Sequence, residues 1–322
     1  MVLKQSIVEK VLTTGIMFLI NIVALVGNLL LFVVTCSKRT RKSSIKMLLL
    51  ALCIADLITA TFDIPLTIVS LIRGRWIFGY TACQIQGFTA ILTGMASTQI
   101  VTLVSINRYC CVVRRNLYHR WFTPRSCLSG IISAWLFSLL TVIAVVSTSA
   151  AEFRYYDDRV TCFMAVTDPT VEAVYSVFVL LTFIIFPFVV MLYCYSKVLT
   201  AVTKHKKNLR NSRILSAEEI DLTYSFLALV LGFLTCLFPV FVLELVDTFC
   251  RECMTRASNL THIFCFYASS ATNFLIYGIM NRSFRCSLAK MLHRLRYGRE
   301  MNNEDQRPGH TSAWVVRTVS PM

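Results

Sequence analysis

Charge is what this sequence lacks. Asp, Glu, Lys and Arg make up 15% of the 322 residues, against 56% hydrophobic residues, whereas soluble domains carry about 25% charged residues. Acid is scarcest: 17 Asp and Glu face 32 Lys and Arg, for a formal charge of +15. The charges are also segregated, leaving seven apolar stretches near 11–35, 47–72, 84–113, 127–149, 173–199, 222–246 and 259–280. Each meets the roughly 20 residues that a helix needs to cross about 30 Å of hydrocarbon. Short alternating segments are missing too, and unbroken runs such as FVLLTFIIFPFVVMLYCY exclude barrel strands. The expected fold class is an all-α membrane protein, a bundle of seven transmembrane helices.

Further absences narrow the function. The first stretch lacks a small-residue cleavage site, is too long for a signal peptide and carries Asn21 and Asn28, so it should be retained as a helix. No repeat relates the two halves, which counts against a transporter of inverted repeats. A transporter or channel, the alternative class, would also string ionisable groups along a path, and only Asp56 and Asp63 lie deep. An enzyme would need a convergent nucleophile or metal set. His262 is the lone histidine within the spans, so no catalytic residue is expected. The organisation reads as one domain over 1–297, with a disordered tail over 298–322.

Basic residues set the expected orientation. With Arg108 and Lys197 at helix ends, one set of loops and the C-terminal tail holds 24 of the 32 Lys and Arg. The positive-inside bias puts that set in the cytoplasm of a cell-membrane protein, with the N-terminus outside. The net charge is thereby explained by the lipid bilayer, and no nucleic-acid partner is expected.

Thirteen cysteines occur, most of them singly within apolar runs. Four fall on the outer side, where oxidation is open to them: Cys83, Cys162, Cys250 and Cys253. Bridging Cys83 to Cys162 would tie the second outer loop over the bundle, and Cys250 with Cys253 could close a small ring. A zinc site on this lone CxxC lacks a second ligand pair. Asn259 begins an outer NLT sequon crowded against a helix.

Polar groups inside spans are costly and point to function. Asp56 sits mid-span in the second helix, and Asn28, Ser97, Ser270 and Asn273 are polar groups at matching depth. They can form one cluster, with a sodium ion as its candidate metal, or each can merely join neighbouring helices.

The ordered motifs GNLL, LALCIAD, Cys83, NRY, Trp135, FPFVVMLYCY, CLFP, NFLIY and NRSFR resemble those of rhodopsin-class G-protein-coupled receptors, over residues 11 to about 295. NRY and the missing seventh-helix proline are weakly similar to melatonin receptors, without assigning that subgroup. The resemblance implies an extracellular small-molecule or peptide ligand, a heterotrimeric G protein, an arrestin and a short eighth helix near 282–295. It implies a sodium site at Asp56, Ser97, Ser270 and Asn273 and no other cofactor. Activation and coupling fall to Asn107, Arg108 and Tyr109, with Tyr195 and Tyr277 beside them and with kinks at Pro187 and Pro239.

Here too the absences speak. The acid before the arginine is Asn107, the sixth-helix tryptophan is Leu237 and the seventh-helix proline is Phe274. Glu219, at the base of the sixth helix, is therefore the expected partner of Arg108. No lysine lies in 259–280, and Tyr267 stands at the depth of a retinal lysine, which excludes a light sensor. Ala90 stands where amine receptors carry an aspartate. Asp63, two turns outward of Asp56 and just before Pro65, should swing toward the cavity and face Tyr267. It would either anchor a cationic ligand or only brace Tyr267. Gln86, Ala90 and Phe241 would complete the wall, and Glu244 with Asp247 would rim the mouth for a basic peptide.

Overall fold

The computed structural model describes residues 7–37, 43–207, 217–282 and 284–293, without the side chains of 205–207, 217–219 and 251. The tail over 298–322 and the Glu219 side chain lie outside the described residues. Among the described residues, seven helices are long and apolar enough to cross a membrane: Ile7–Ser37, Ser44–Arg73, Gly79–Val112, Pro124–Val146, Pro169–Lys204, Ile220–Phe249 and Arg256–Met280. They are numbered one to seven below, and each overlaps one of the seven apolar stretches.

Local chemistry starts several of them. Asp168 accepts from the backbone N–H groups of Thr170 and Val171 at 2.8 and 3.1 Å, ahead of Pro169 in the first turn. Thr123 and Thr255 cap helices four and seven in the same way. A side-chain oxygen there satisfies a donor that the helix itself cannot, and proline gives up an N–H that had no partner.

Helix three is the hub, with buried residues along its length from Cys83 to Cys110. Helices one, four and five present Leu12, Phe18, Leu136, Leu140, Leu181 and Phe186 outward. Such an apolar exterior suits hydrocarbon and not water.

Two helices carry wider, π-helical turns, at Thr59–Asp63 in helix two and Leu180–Ile185 in helix five. Each ends two residues before a proline, Pro65 or Pro187, whose ring withholds one backbone donor. Helix six carries Pro239 in its interior. Phe274, in place of a seventh-helix proline, packs on Gly27 of helix one so closely that no Cβ would fit there.

The long loop after helix four is a β-hairpin, β1 (Ala151–Tyr156) antiparallel to β2 (Thr161–Val166), with Tyr156 opposite Thr161. The Cys83–Cys162 disulfide ties β2 to helix three, with Cα atoms 5.4 Å apart. Gln84 donates to Phe153 O at 2.6 Å and accepts from Phe153 N at 3.2 Å. Phe153 lies against Gly87, where any Cβ would collide with its ring. Cys250 and Cys253 are also joined. At the opposite end a short helix, Arg115–Trp121, follows helix three. Asn281 Oδ1 accepts from Phe284 N at 2.8 Å and caps a helix over 284–293, where the eighth helix was expected.

Candidate functional site

Beneath the hairpin lies a cavity of about 220 Å³ between helices three, five, six and seven. Its walls are apolar, with Met95, Phe183, Leu237, Phe241 and Phe266 among them, and its polar groups gather at the hairpin end. Leu237, in place of a tryptophan, separates this cavity from a smaller void below it.

The polar end is organised by Arg159, in the turn between β1 and β2. Its Nη1 lies 3.1 Å from Glu244 Oε1, its Nη2 lies 2.8 Å from Asp247 Oδ2, and its Nε donates to Asn259 Oδ1 at 3.2 Å. The guanidinium also sits 4.6 Å over the Phe163 ring and 5.9 Å from that of Tyr156. His262 Nε2 approaches Glu244 Oε1 to 2.6 Å. Arg159 is 4% exposed. Burial of a guanidinium is tolerable only with such partners. The neighbouring Val160 has φ +57°, a conformation that a β-branched residue avoids. Its side chain is buried among Met17, Ile68, Leu71 and Leu260, which hold it there.

Of the expected ligand residues, Phe241 and Glu244 line this cavity, and so does Asp247. Asp63, Gln86, Ala90 and Tyr267 do not line it. The expectation that Pro65 swings Asp63 into the cavity is thus corrected. The π-helical turn at Thr59–Asp63 adds a residue to the turn, and one residue shifts the helical phase by about 100°. Asp63 accordingly faces helix three, where its Oδ1 accepts from Thr89 at 2.6 Å. Gln86 Nε2 donates to Asp63 O and Thr67 Oγ1, both at 3.0 Å, while its Oε1 accepts from Cys162 N at 3.2 Å. Tyr267, expected beside Asp63, shares hydrogen bonds with Thr67 and Thr161 instead, at 3.2 and 3.4 Å. These groups brace helices two, three and seven and the hairpin.

Sequence reasoning missed Arg159, which carries most of the polar contacts at the cavity mouth. A signal existed: it is the one basic residue of the YYDDRVTC turn, three positions before a bridged cysteine. His262 was noticed only as a lone histidine. Asn259 is buried and receives Arg159, so its sequon is turned inward.

Mid-membrane, Asn273 Nδ2 donates to Asp56 Oδ2 at 3.1 Å, and Asn28 Nδ2 donates to Ser270 O at 3.0 Å. Ser97 and Ser270 line the small void beside Leu237. The Asn273 side-chain oxygen is buried without a hydrogen-bond partner.

At the other end Arg108 is buried, and its Nε and Nη2 donate to Asn107 Oδ1 at 3.2 and 2.7 Å. Its guanidinium lies 5.2 Å from the Phe226 ring of helix six. Phe226 in turn meets Tyr277 at 5.7 Å between ring centroids. Tyr195 is buried in the same cluster, and Tyr109 meets Tyr193 at its edge. Helix six is therefore packed closed against helix three at this end.

The architecture is that of squid rhodopsin, whose crystal structure aligns with a TM-score of 0.76 over 94% of this chain and 92% of that one, at 20% identity. Residues 27–277 match the family described as 7 transmembrane receptor (rhodopsin family), and the chain belongs to it. Among curated relatives, melatonin receptor type 1B of Mus musculus is 28% identical over 83% of this chain and 74% of its own length. Melatonin receptor type 1A of Gallus gallus is 27% identical over 88% of this chain and 81% of its own length. The protein is a multi-pass membrane receptor of the G-protein-coupled class, and its relatives are receptors, not enzymes.

Proposed function

We propose that this receptor binds an extracellular ligand in the cavity under the hairpin and activates heterotrimeric G proteins by outward movement of helix six. The observation that carries this reading is that one helix touches both sites. Leu237, Phe241 and Glu244 of helix six line the cavity, and Phe226 of the same helix closes over Arg108. Pro239 lies within the cavity-lining segment, between Leu237 and Phe241, and removes one backbone hydrogen bond from the helix. A ligand that favours a straighter or more tilted helix six at the cavity thereby favours an open base, which is a shift between two populations. The base would then receive the G protein, with Arg108, Tyr195 and Tyr277 exposed to it, and afterwards an arrestin.

In this reading the hairpin end faces outward, the basic loops face the cytoplasm, and the carboxylate rim of Glu244 and Asp247 lies on the outer side. The donors at mid-membrane fit a sodium ion: Asp56, the hydroxyls of Ser97 and Ser270 and the unpartnered Asn273 oxygen are all hard oxygen ligands. When bound, the ion would neutralise Asp56.

The test is nucleotide exchange on purified G proteins, with the receptor in lipid nanodiscs and a ligand panel that begins with melatonin, the compound in the relatives' names. Acceleration by the receptor, abolished by Arg108→Ala, supports the reading. No exchange on any G-protein class with any ligand would defeat it.

A further inference from the structure

At the base of the bundle, helices three, four and five carry basic residues and no acid. The sequence holds no Asp or Glu over 64–151 or over 173–217, which covers helices three and four and all of helix five beyond its first turn. Arg114, two residues past helix three, and Lys197, near the end of helix five, are both exposed. Among the described residues, neither forms an ion pair with a carboxylate.

Two tyrosines join these cations across the seam between the helices. The ring centroids of Tyr109 and Tyr193 lie 5.9 Å apart, and Lys197 Nζ lies 5.7 Å from the Tyr193 ring. Arg114 approaches the same pair, and hydrogen bonding to the Tyr109 hydroxyl raises its pKa above the ordinary arginine value. A guanidinium has five N–H donors and an ammonium three, so donors remain on both cations. Tyr193 is 53% exposed although it packs on Tyr109. On helix five the exposed residues Phe186, Val189, Tyr193 and Lys197 follow one another at spacings of three and four, which makes one stripe along the helix. The stripe runs from apolar side chains through a tyrosine, a residue suited to the membrane boundary, to a charge. That is the polarity order of a phospholipid read from its chains to its headgroup.

We infer that this seam is a binding site for an anionic phospholipid of the leaflet at the base, with a phosphate monoester of its headgroup held between Arg114 and Lys197. The Tyr193 hydroxyl donates to the phosphate, and an acyl chain lies along Phe186 and Val189. A phosphate monoester carries about two negative charges at neutral pH, which matches the two cations. In the orientation proposed above this leaflet is the cytoplasmic one, whose negative surface attracts basic segments. The bound lipid bridges helices three and five beside Tyr109, the neighbour of Arg108, at the opposite end of the bundle from the cavity under the hairpin.

The probes are phosphatidylinositol 4-phosphate, phosphatidylinositol, which lacks the monoester, and inositol 1,4-bisphosphate, the free headgroup. Each is titrated onto the full chain in uncharged detergent micelles, with binding read by native mass spectrometry. The monoester lipid is expected to bind at least tenfold more tightly than either of the others. Arg114→Gln with Lys197→Gln should abolish that preference. Arg282→Gln with Lys290→Gln, which removes the same charge from exposed residues at the same end of the bundle, should leave it intact. Equal affinity for the two lipids overturns the proposal, as does an equal loss in the two double variants. Binding of the free headgroup as tightly as the lipid also overturns it, and assigns the seat to a soluble phosphate. Should the Arg114 and Lys197 variant not fold, thermal unfolding of the native protein decides. Phosphatidylinositol 4-phosphate must then raise its unfolding temperature more than phosphatidylinositol does, and an equal rise or none overturns the site. These readouts need no G protein and no cavity ligand, so the lipid seat stands or falls independently of nucleotide exchange.

Discussion

Two buried arginines mark the two ends of the bundle, and they are held by opposite means. Arg159, at the hairpin end, is neutralised by Glu244 and Asp247, which follow it by 85 and 88 positions in the chain. Arg108, at the base, leans on the amide of its own neighbour, Asn107, and on the face of Phe226. A carboxylate pair offsets the charge itself. An amide offers only its dipole, so the second site is the weaker clasp. The comparison locates firmness and give in this receptor: the hairpin is pinned to helix six by ionic contacts, whereas the described contacts at the base are ones that can yield.

That contrast is most directly broken by removing the acids. Glu244→Gln together with Asp247→Asn leaves Arg159 buried without a counter-charge, and such a loss costs about 3–5 kcal/mol. Thermal unfolding in nanodiscs should drop sharply, and by more than for Arg159→Gln, whose acids can hydrate through the cavity. Equal losses for the two variants would mean that Arg159 is not the more desolvated partner.

Next in size is the tether. Cys162→Ser frees the hairpin from helix three while leaving the ionic contacts of Arg159. A bridge of this kind contributes about 2–4 kcal/mol. The expected result is a lower unfolding temperature and faster exchange of the β1 and β2 amides by hydrogen–deuterium exchange. Unchanged exchange would show that Gln84, Gln86 and Arg159 hold the hairpin without the disulfide.

At the base, Asn107→Asp restores a charge beside Arg108 and should make the two ends alike. The Asn107 bond is already one to a charged group, about 1.5–3 kcal/mol, and an aspartate would add to it the attraction of a full opposite charge. Ligand-free nucleotide exchange should therefore fall several-fold at equal receptor concentration. A rise, or no change, would mean that Arg108 is not what restrains the base.

The smallest effect is expected at Asp63. Its Oδ1 accepts from Thr89, but its Oδ2 has no partner, so Asp63→Asn keeps the one bond that is made. Stability should change by less than about 1 kcal/mol, the worth of an ordinary hydrogen bond. The affinity of any cavity ligand should stay within about twofold. A tenfold loss of affinity would return Asp63 to the binding site and require helix two to rotate on ligand entry.

Much of this was legible in the chain, for a physical reason. Hydrocarbon demands about 20 apolar residues per crossing and backbone hydrogen bonds closed within each helix. Both demands act on contiguous residues, so the seven spans could be read directly. Phe241 and Glu244 could be placed near a cavity because helical spacing alone puts them on one face. Asp63 was misplaced for the same reason: regular spacing was assumed through a turn that is wider than regular.

What the sequence alone determined is therefore the local part: seven membrane helices, their depth, and the polar groups each brings to it. The meeting of Arg159 with Glu244, Asp247 and Asn259 was decided only by the tertiary structure. A two-stranded hairpin is marginal by itself, and this one exists because helix three anchors it through Cys83, Gln84 and Gln86. Only on that support does the turn reach across the bundle, where burial obliges its arginine to find carboxylates that no spacing in the chain connects to it.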